Sequence, residues 1–296
     1  MISISDKNVR TTHYPDELRP EKTKDKIDDI IAQAPEHSIN SIYNSDEVRE
    51  KLKAIYGNKC AYCESIPFGS SAFRVDHYRP KKHVKELAKE DHYGYFWLSL
   101  EWTNLIQSCE SCNSKKSNHF PLKSEDGRIN AILKDVNIVQ EASRDFRTSL
   151  LSSESRLLLH PELDPVEKHL LFLPNGKVKE KDGSEMGSTS CRLYNLNRDG
   201  LVWLRKKKID QIYFEIIGIL NDYEDNGADG YALPFLQHDL TNLFRTILGA
   251  QDEGEAYSRL GYYMFHHFEQ FYIDRLPDEL DEHKALIKEF YNSLLK

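Results

Sequence analysis

Four of the five cysteines fall into two pairs with the same internal spacing, Cys60-x-x-Cys63 and Cys109-x-x-Cys112. Each such turn presents two sulfurs to one ion from neighbouring backbone positions, and two of them complete the tetrahedral four-cysteine set of a structural zinc site. A redox pair needs only one Cys-x-x-Cys, so the duplicated spacing favours zinc over redox chemistry and over unrelated buried cysteines. Cys191 has no partner in this pattern and reads as a small buried hydrophobe. Between and beside the pairs stand Asp76-His77, Asn104, Asn113 and Lys116. An isolated Asp-His pair is normally a surface ion pair or a core histidine. Here it lies inside a unit stapled by metal, where side chains are held with little freedom, as a catalytic constellation requires.

The elements that must position these groups follow from periodicity. Asn44 and Glu47 resemble a capping box, Val48, Leu52, Ile55 and Tyr56 recur at helical spacing, and Gly57-Asn58 supplies a stop, so a helix of three turns delivers the chain into "KCAYC". In "SAFRVDHY" Phe73 and Val75 alternate with polar neighbours, which predicts a strand ending near His77, and Pro80 prevents its simple continuation. Phe96, Trp97, Leu98 and Trp102 in the next apolar stretch are expected in the core. Farther on, Asn175-Gly176 between apolar runs predicts a hairpin, and Leu201, Leu204, Ile209, Ile212, Tyr213, Ile216, Ile217 and Leu220 fit one long amphipathic helix.

This gives three regions. Residues 1–43, polar with Pro15, Pro20 and Pro35, read as an N-terminal arm that wraps onto something; residues 44–125 carry the chemistry; residues 126–296 read as mainly helical. The chain of 296 residues, 39% hydrophobic, can bury a substantial core. Its beginning lacks the apolar stretch of a signal peptide, no run of apolar residues is long enough to span a bilayer, and the odd cysteine count argues against a disulfide framework, so a cytoplasmic protein with no membrane partner is expected.

A net charge of −8 excludes a surface that is generally basic. Yet between Arg74 and Lys89 six basic residues stand against Asp76 and Glu86, so this segment carries +4 and the remainder −12. Other histidines have plainer readings: His266-His267 lie in an aromatic helix, His160 and His169 have no ligand-spaced partners, and His83 and His119 are minor candidates for substrate contacts.

"VDHYRP", then "TNL", then "CNSKK" make residues 58 to 122 resemble the HNH (ββα-metal) endonucleases of the kind that carry a four-cysteine zinc site. The fold implied is α+β: a ββα-metal nuclease core stapled by the zinc site, followed by a largely helical C-terminal region with a β-hairpin. The resemblance implies His77 as general base, Asp76 and Asn113 as ligands of a catalytic divalent ion, and Asn104 as a brace of the loop. Asn113 stands where the letters of the family name place a histidine, a variant that keeps an oxygen ligand. More narrowly, "KCAYCE", "DHYRPKKH", "EWTNLIQSCESCNSKKSNHFPL" and, more loosely, "HLLFLPNGKV" and "LYNLNRDGLVWLRKK" resemble the HNH endonuclease group associated with retrons and with the Septu anti-phage system. That group implies an ABC/SMC-like ATPase partner that restrains or directs the nuclease, docked on the C-terminal region.

The chemistry is coherent with those roles. A phosphodiester repels hydroxide, so a nuclease must activate water and neutralise charge on the leaving oxygen. A neutral His77 suits the first task near physiological pH, and the oxygens of Asp76 and Asn113 suit Mg2+ or Mn2+. Lys116, Arg79, Lys81 and Lys82 are expected to position the nucleic acid, DNA or RNA, through its phosphates. The competing class is a zinc-stapled module that binds nucleic acid or protein without cutting. A zinc deaminase is disfavoured, because its H-x-E with P-C-x-x-C arrangement is missing.

Overall fold

The computed structural model describes residues 1, 9–33, 41–67, 72–88, 93–129, 144–226 and 233–294; Pro35 of the expected arm and Lys89 of the basic segment lie outside them. The architecture is α+β, with two small antiparallel sheets of two strands each among many helices. The described residues form two compact units, one of residues 1–170 and 180–196, the other of residues 171–179 and 197–296.

In the first unit the arm forms a helical turn, α1 (Val9–Thr12), and α2 (Pro20–Ala32), whose Ile27 and Ile30 are buried. Arg10 of α1 is buried as well: its guanidinium pairs with Glu162 at 2.6 Å and donates to the backbone carbonyls of Trp102 and Leu105 at 2.8 and 2.7 Å. Helix α3 (Asp46–Tyr56) buries the expected Val48, Leu52, Ile55 and Tyr56. Its cap is shifted by one residue from expectation. The Ser45 side chain accepts from the Val48 amide, while the Glu47 carboxylate turns outward to accept from the amides of Asp16 and Glu17, so no capping box closes at Asn44.

Strands β1 (Arg74–His77) and β2 (Leu105–Ser108) pair antiparallel, with Asp76 opposite Ile106 and His77 opposite Leu105, and α4 (Glu110–Lys116) follows directly. The loop between the strands buries Phe96, Trp97, Leu98 and Trp102, as their composition predicts. Past residue 125 the chain stays with this unit. Arg79 pairs with Glu154 at 2.8 Å, Arg156 with Asp164 at 2.6 Å, and Tyr194, at the end of α6 (Glu185–Leu193), stacks on Tyr62 at 4.0 Å between ring centroids; the short α5 (Ser149–Ser152) precedes these contacts in the chain. Cys191 is half-buried rather than buried, since α6 presents it near its own surface.

Strands β3 (Leu170–Phe172) and β4 (Val178–Glu180) form the expected hairpin, with Gly176 at φ 80° in the turn. In the second unit α7 (Asp199–Asn226) lays Leu201, Ile209, Ile212, Ile216 and Leu220 on its buried side, and packs with α8 (Leu233–Gly249). Helices α9 (Ser258–His266), α10 (Phe268–Phe271) and α11 (Asp281–Leu294) complete an aromatic-rich core in which Phe268 stacks on Tyr291. Among the described residues no helix is long and apolar enough to cross a membrane.

Candidate active site

The two cysteine pairs meet. The sulfurs of Cys60, Cys63, Cys109 and Cys112 all lie within 4.8 Å of one another, and the Cys63 and Cys109 sulfurs are 3.7 Å apart. A tetrahedral zinc ion with Zn–S bonds of about 2.3 Å sets its sulfurs about 3.8 Å apart, so the donor set and spacing fit a structural metal such as zinc. The first pair is tied to the sheet. The Ala61 amide donates to the Gln107 carbonyl at 3.0 Å, and the Gln107 side chain donates to the carbonyls of Gly57 and Lys59 at 2.8 and 2.9 Å. The second pair opens α4, with Cys109 at its N-cap.

The residues facing this staple converge. Asp76, His77, Asn113, Lys81 and Tyr43 line one open cavity of about 310 Å³. Asp76 is buried; its Oδ2 accepts from the Tyr62 hydroxyl at 2.6 Å and its Oδ1 from the Lys116 ammonium at 3.1 Å. Burial pushes the Asp76 carboxyl up, against Lys116 and Tyr62, which pull it down. His77 is buried with Nε2 2.9 Å from the Ser99 carbonyl oxygen, which can only accept. The proton therefore sits on Nε2 and the lone pair on Nδ1. Burial, reinforced by the charge of Lys81, holds the imidazole well below its ordinary pKa and so neutral. The Tyr43 ring packs edge-on against it, with centroids 4.6 Å apart.

Asn104 spans the loop between the strands. Its Nδ2 donates to the carbonyls of Arg79 and Leu98 at 3.0 and 3.2 Å, its Oδ1 accepts from the Arg79 amide at 2.8 Å, and its own carbonyl accepts from the Tyr78 amide at 2.9 Å. Asn113 is half-buried on α4, one turn before Lys116.

The basic residues divide. Lys81 is half-buried at the cavity, with its ammonium 3.6 Å from the centre of the Tyr43 ring, and burial lowers it to about 8; Lys82 is exposed. Arg79 and Lys116, expected to meet phosphates, are instead turned inward, 2% and 0% exposed. Arg79 donates to Glu154 and to the Leu151 carbonyl at 2.7 Å; Lys116 donates to Asp76 and to the His77 carbonyl at 2.7 Å. Their charge is satisfied by buried acceptors, which removes both as phosphate contacts. His119 pairs with Glu86 at 2.7 Å.

Sequence reasoning missed Tyr62, Ser99 and Tyr43. Tyr62 had a readable signal, its place inside Cys60-x-x-Cys63. Ser99 contributes only a backbone carbonyl and Tyr43 arrives from the end of the arm, so neither leaves a local pattern.

Over 182 residues, 60% of this chain and 56% of the relative, the sequence is 34% identical to Septu protein PtuB of Bacillus mycoides (strain KBAB4). The chain is similar to PtuB. A second Septu protein PtuB, from Bacillus thuringiensis, is 31% identical over 81 residues, 27% of each chain. Septu protein PtuA of Bacillus mycoides (strain KBAB4) is 32% identical over 196 residues, 65% of this chain but 24% of that protein. The chain thus spans little more than half of the first PtuB and about a quarter of the other two relatives. No protein-family model matches it, and no solved structure does.

Proposed function

We propose that this chain is a metal-dependent HNH endonuclease that hydrolyses nucleic-acid phosphodiesters as the effector of an anti-phage defence system. The observation that carries the reading is a neutral histidine, its tautomer set by the Ser99 carbonyl, lining one cavity with Asp76 and Asn113 beside a four-cysteine cluster. Strands β1 and β2 followed by α4 serve as the ββα-metal core. Residues 44–125 carry the chemistry, the arm of residues 1–43 braces it, and residues 126–296 offer the docking region for a partner.

His77 takes a proton from water at Nδ1, while the Ser99 carbonyl steadies the imidazolium that forms. Asp76 and Asn113 would hold Mg2+ or Mn2+, which would supply neutralisation of charge on the phosphate and the leaving oxygen. Asn104 keeps the loop that carries Pro80 and Lys81 in register with β1. Lys81 at the cavity and Lys82 outside it meet the phosphates of DNA or RNA. Zinc on the four cysteines is structural.

The partner is an ABC/SMC-like ATPase of the PtuA kind. Support comes from PtuA of Bacillus mycoides, where a stretch similar to this chain makes up only 24% of the protein and is therefore joined covalently to a larger remainder. Cytoplasmic action accompanies this reading. The test is cleavage with Mg2+ or Mn2+, with the partner present: His77→Ala abolishes cutting while zinc content and folding persist. Full activity in that variant overturns the proposal. Absence of cutting by the parent chain, with partner and metal supplied, favours instead a zinc-stapled binding module.

A further inference from the structure

We infer that Lys116 is a positioning residue that neutralises Asp76 in the free protein, so that the protein alone offers a weak cation site which substrate phosphate must complete. This rests on the nuclease reading above. Lys116 lies in the last turn of α4, three residues after Asn113, and is fully buried. Its ammonium reaches across to β1, donating to Asp76 Oδ1 at 3.1 Å and to the His77 carbonyl at 2.7 Å. It therefore sets the spacing between the helix that carries Asn113 and the strand that carries Asp76 and His77.

The charges around the cavity then decide what the protein can hold by itself. Asp76 is the one acidic residue among those lining it, and Lys81 is the one basic residue. Asn113 carries no charge, and His77, whose Nε2 is committed to the Ser99 carbonyl, offers the cavity an Nδ1 nitrogen and no carboxylate oxygen. With Lys116 against Asp76 and Lys81 at the wall, the formal sum is +1, so a dication gains little from the protein and an anionic phosphate gains more. Mg2+ in particular sheds water reluctantly and leans on carboxylates together with substrate phosphates. A carboxylate already paired with a buried ammonium is a poor sole anchor, whereas the same carboxylate beside a bound phosphate would share the cation with it. Lys116 also keeps the carboxylate aimed in the absence of an ion, which spares the site from reorganising when substrate arrives.

The test is a calorimetric titration of Mn2+ alone into the zinc-loaded full chain. The parent chain is expected to bind weakly, in the millimolar range. Lys116→Met removes the competing charge and should tighten binding about tenfold or more, an effect of a unit charge in contact with the ligand oxygen. Adding Asp76→Asn to that variant should abolish the gain. Because Lys116→Met leaves the His77 carbonyl unpaired and can fail to fold, Lys116→Gln, which keeps a donor there, provides the second variant. Micromolar binding of Mn2+ by the parent chain overturns the inference on its own, as does unchanged or weaker binding in a folded, zinc-retaining Lys116 variant. None of these readouts needs cleavage. A chain that cuts through His77 yet binds Mn2+ tightly unaided keeps the nuclease reading and loses this one; a chain that shows the shift and never cuts does the reverse.

Discussion

Asn104 commits its whole amide to the backbone around the site, two donated bonds and one accepted. Asn104→Ala takes the side-chain partner from the buried Arg79 amide and carbonyl, while the Leu98 carbonyl keeps the Glu101 amide, and should destabilise the first unit by about 2–4 kcal/mol, measured by urea denaturation. Asn104→Asp should be no better, because a carboxylate can accept from the Arg79 amide but turns its second oxygen against two carbonyls. Arg79 and Lys116 show why this level is only partly legible in a sequence. Basic residues beside an Asp-His pair look like phosphate contacts. Whether they face water or a buried carboxylate depends on partners 75 and 40 positions away, and no local spacing encodes that.

At the level of the elements, the four-cysteine cluster is tied to the candidate site through the Tyr62 side chain. Tyr62 sits inside the first cysteine pair, is stacked on Tyr194, and donates to Asp76. On the proposed nuclease reading, stripping zinc from the four cysteines with a chelator should therefore free Tyr62 and lower cleavage even at saturating Mg2+; restoring zinc should restore it, with zinc content followed by atomic absorption. A chelated protein that retains full rate with Mg2+ would show the staple to be dispensable for the site. The elements themselves are readable where the signal is local: apolar spacing for α3 and α7, alternation ending at His77, and Asn175-Gly176 for the hairpin. The cap of α3 falls one residue from its expected place because Glu47 answers to Asp16 and Glu17, about thirty positions back, instead of to its own helix.

For the molecule as a whole, the buried histidines tie stability to pH. His160 is fully buried against Tyr78 and Phe146, with its Nδ1 accepting from the Glu162 amide. Burial, then the charges of Arg156, Arg10 and Arg79, hold it well below its ordinary pKa, and His77 is held down likewise. Below about pH 6.5 the unfolded chain takes up protons at both positions that the folded chain refuses, so the stability these two histidines contribute falls as pH drops through that value, and they add no slope above it. Thermal melts should show this decline between about pH 6.5 and 5, and His160→Gln, though less stable overall, should lose about half of the slope. A slope unchanged in that variant would remove His160 from the account. The arm's role is the least legible feature: Arg10 meets Glu162 across 152 positions, and only the folded chain brings them together.

The way the chain is shared between its two units has a consequence for inheritance. The first unit takes in residues 180–196, which follow residues 171–179 of the second in the chain. A gene fragment ending shortly after the second cysteine pair would encode every expected ligand and the candidate base, yet omit Glu154, Glu162 and Tyr194, which hold Arg79, Arg10 and Tyr62. A cassette that keeps those three contacts around the candidate site must therefore run on through the hairpin to Tyr194.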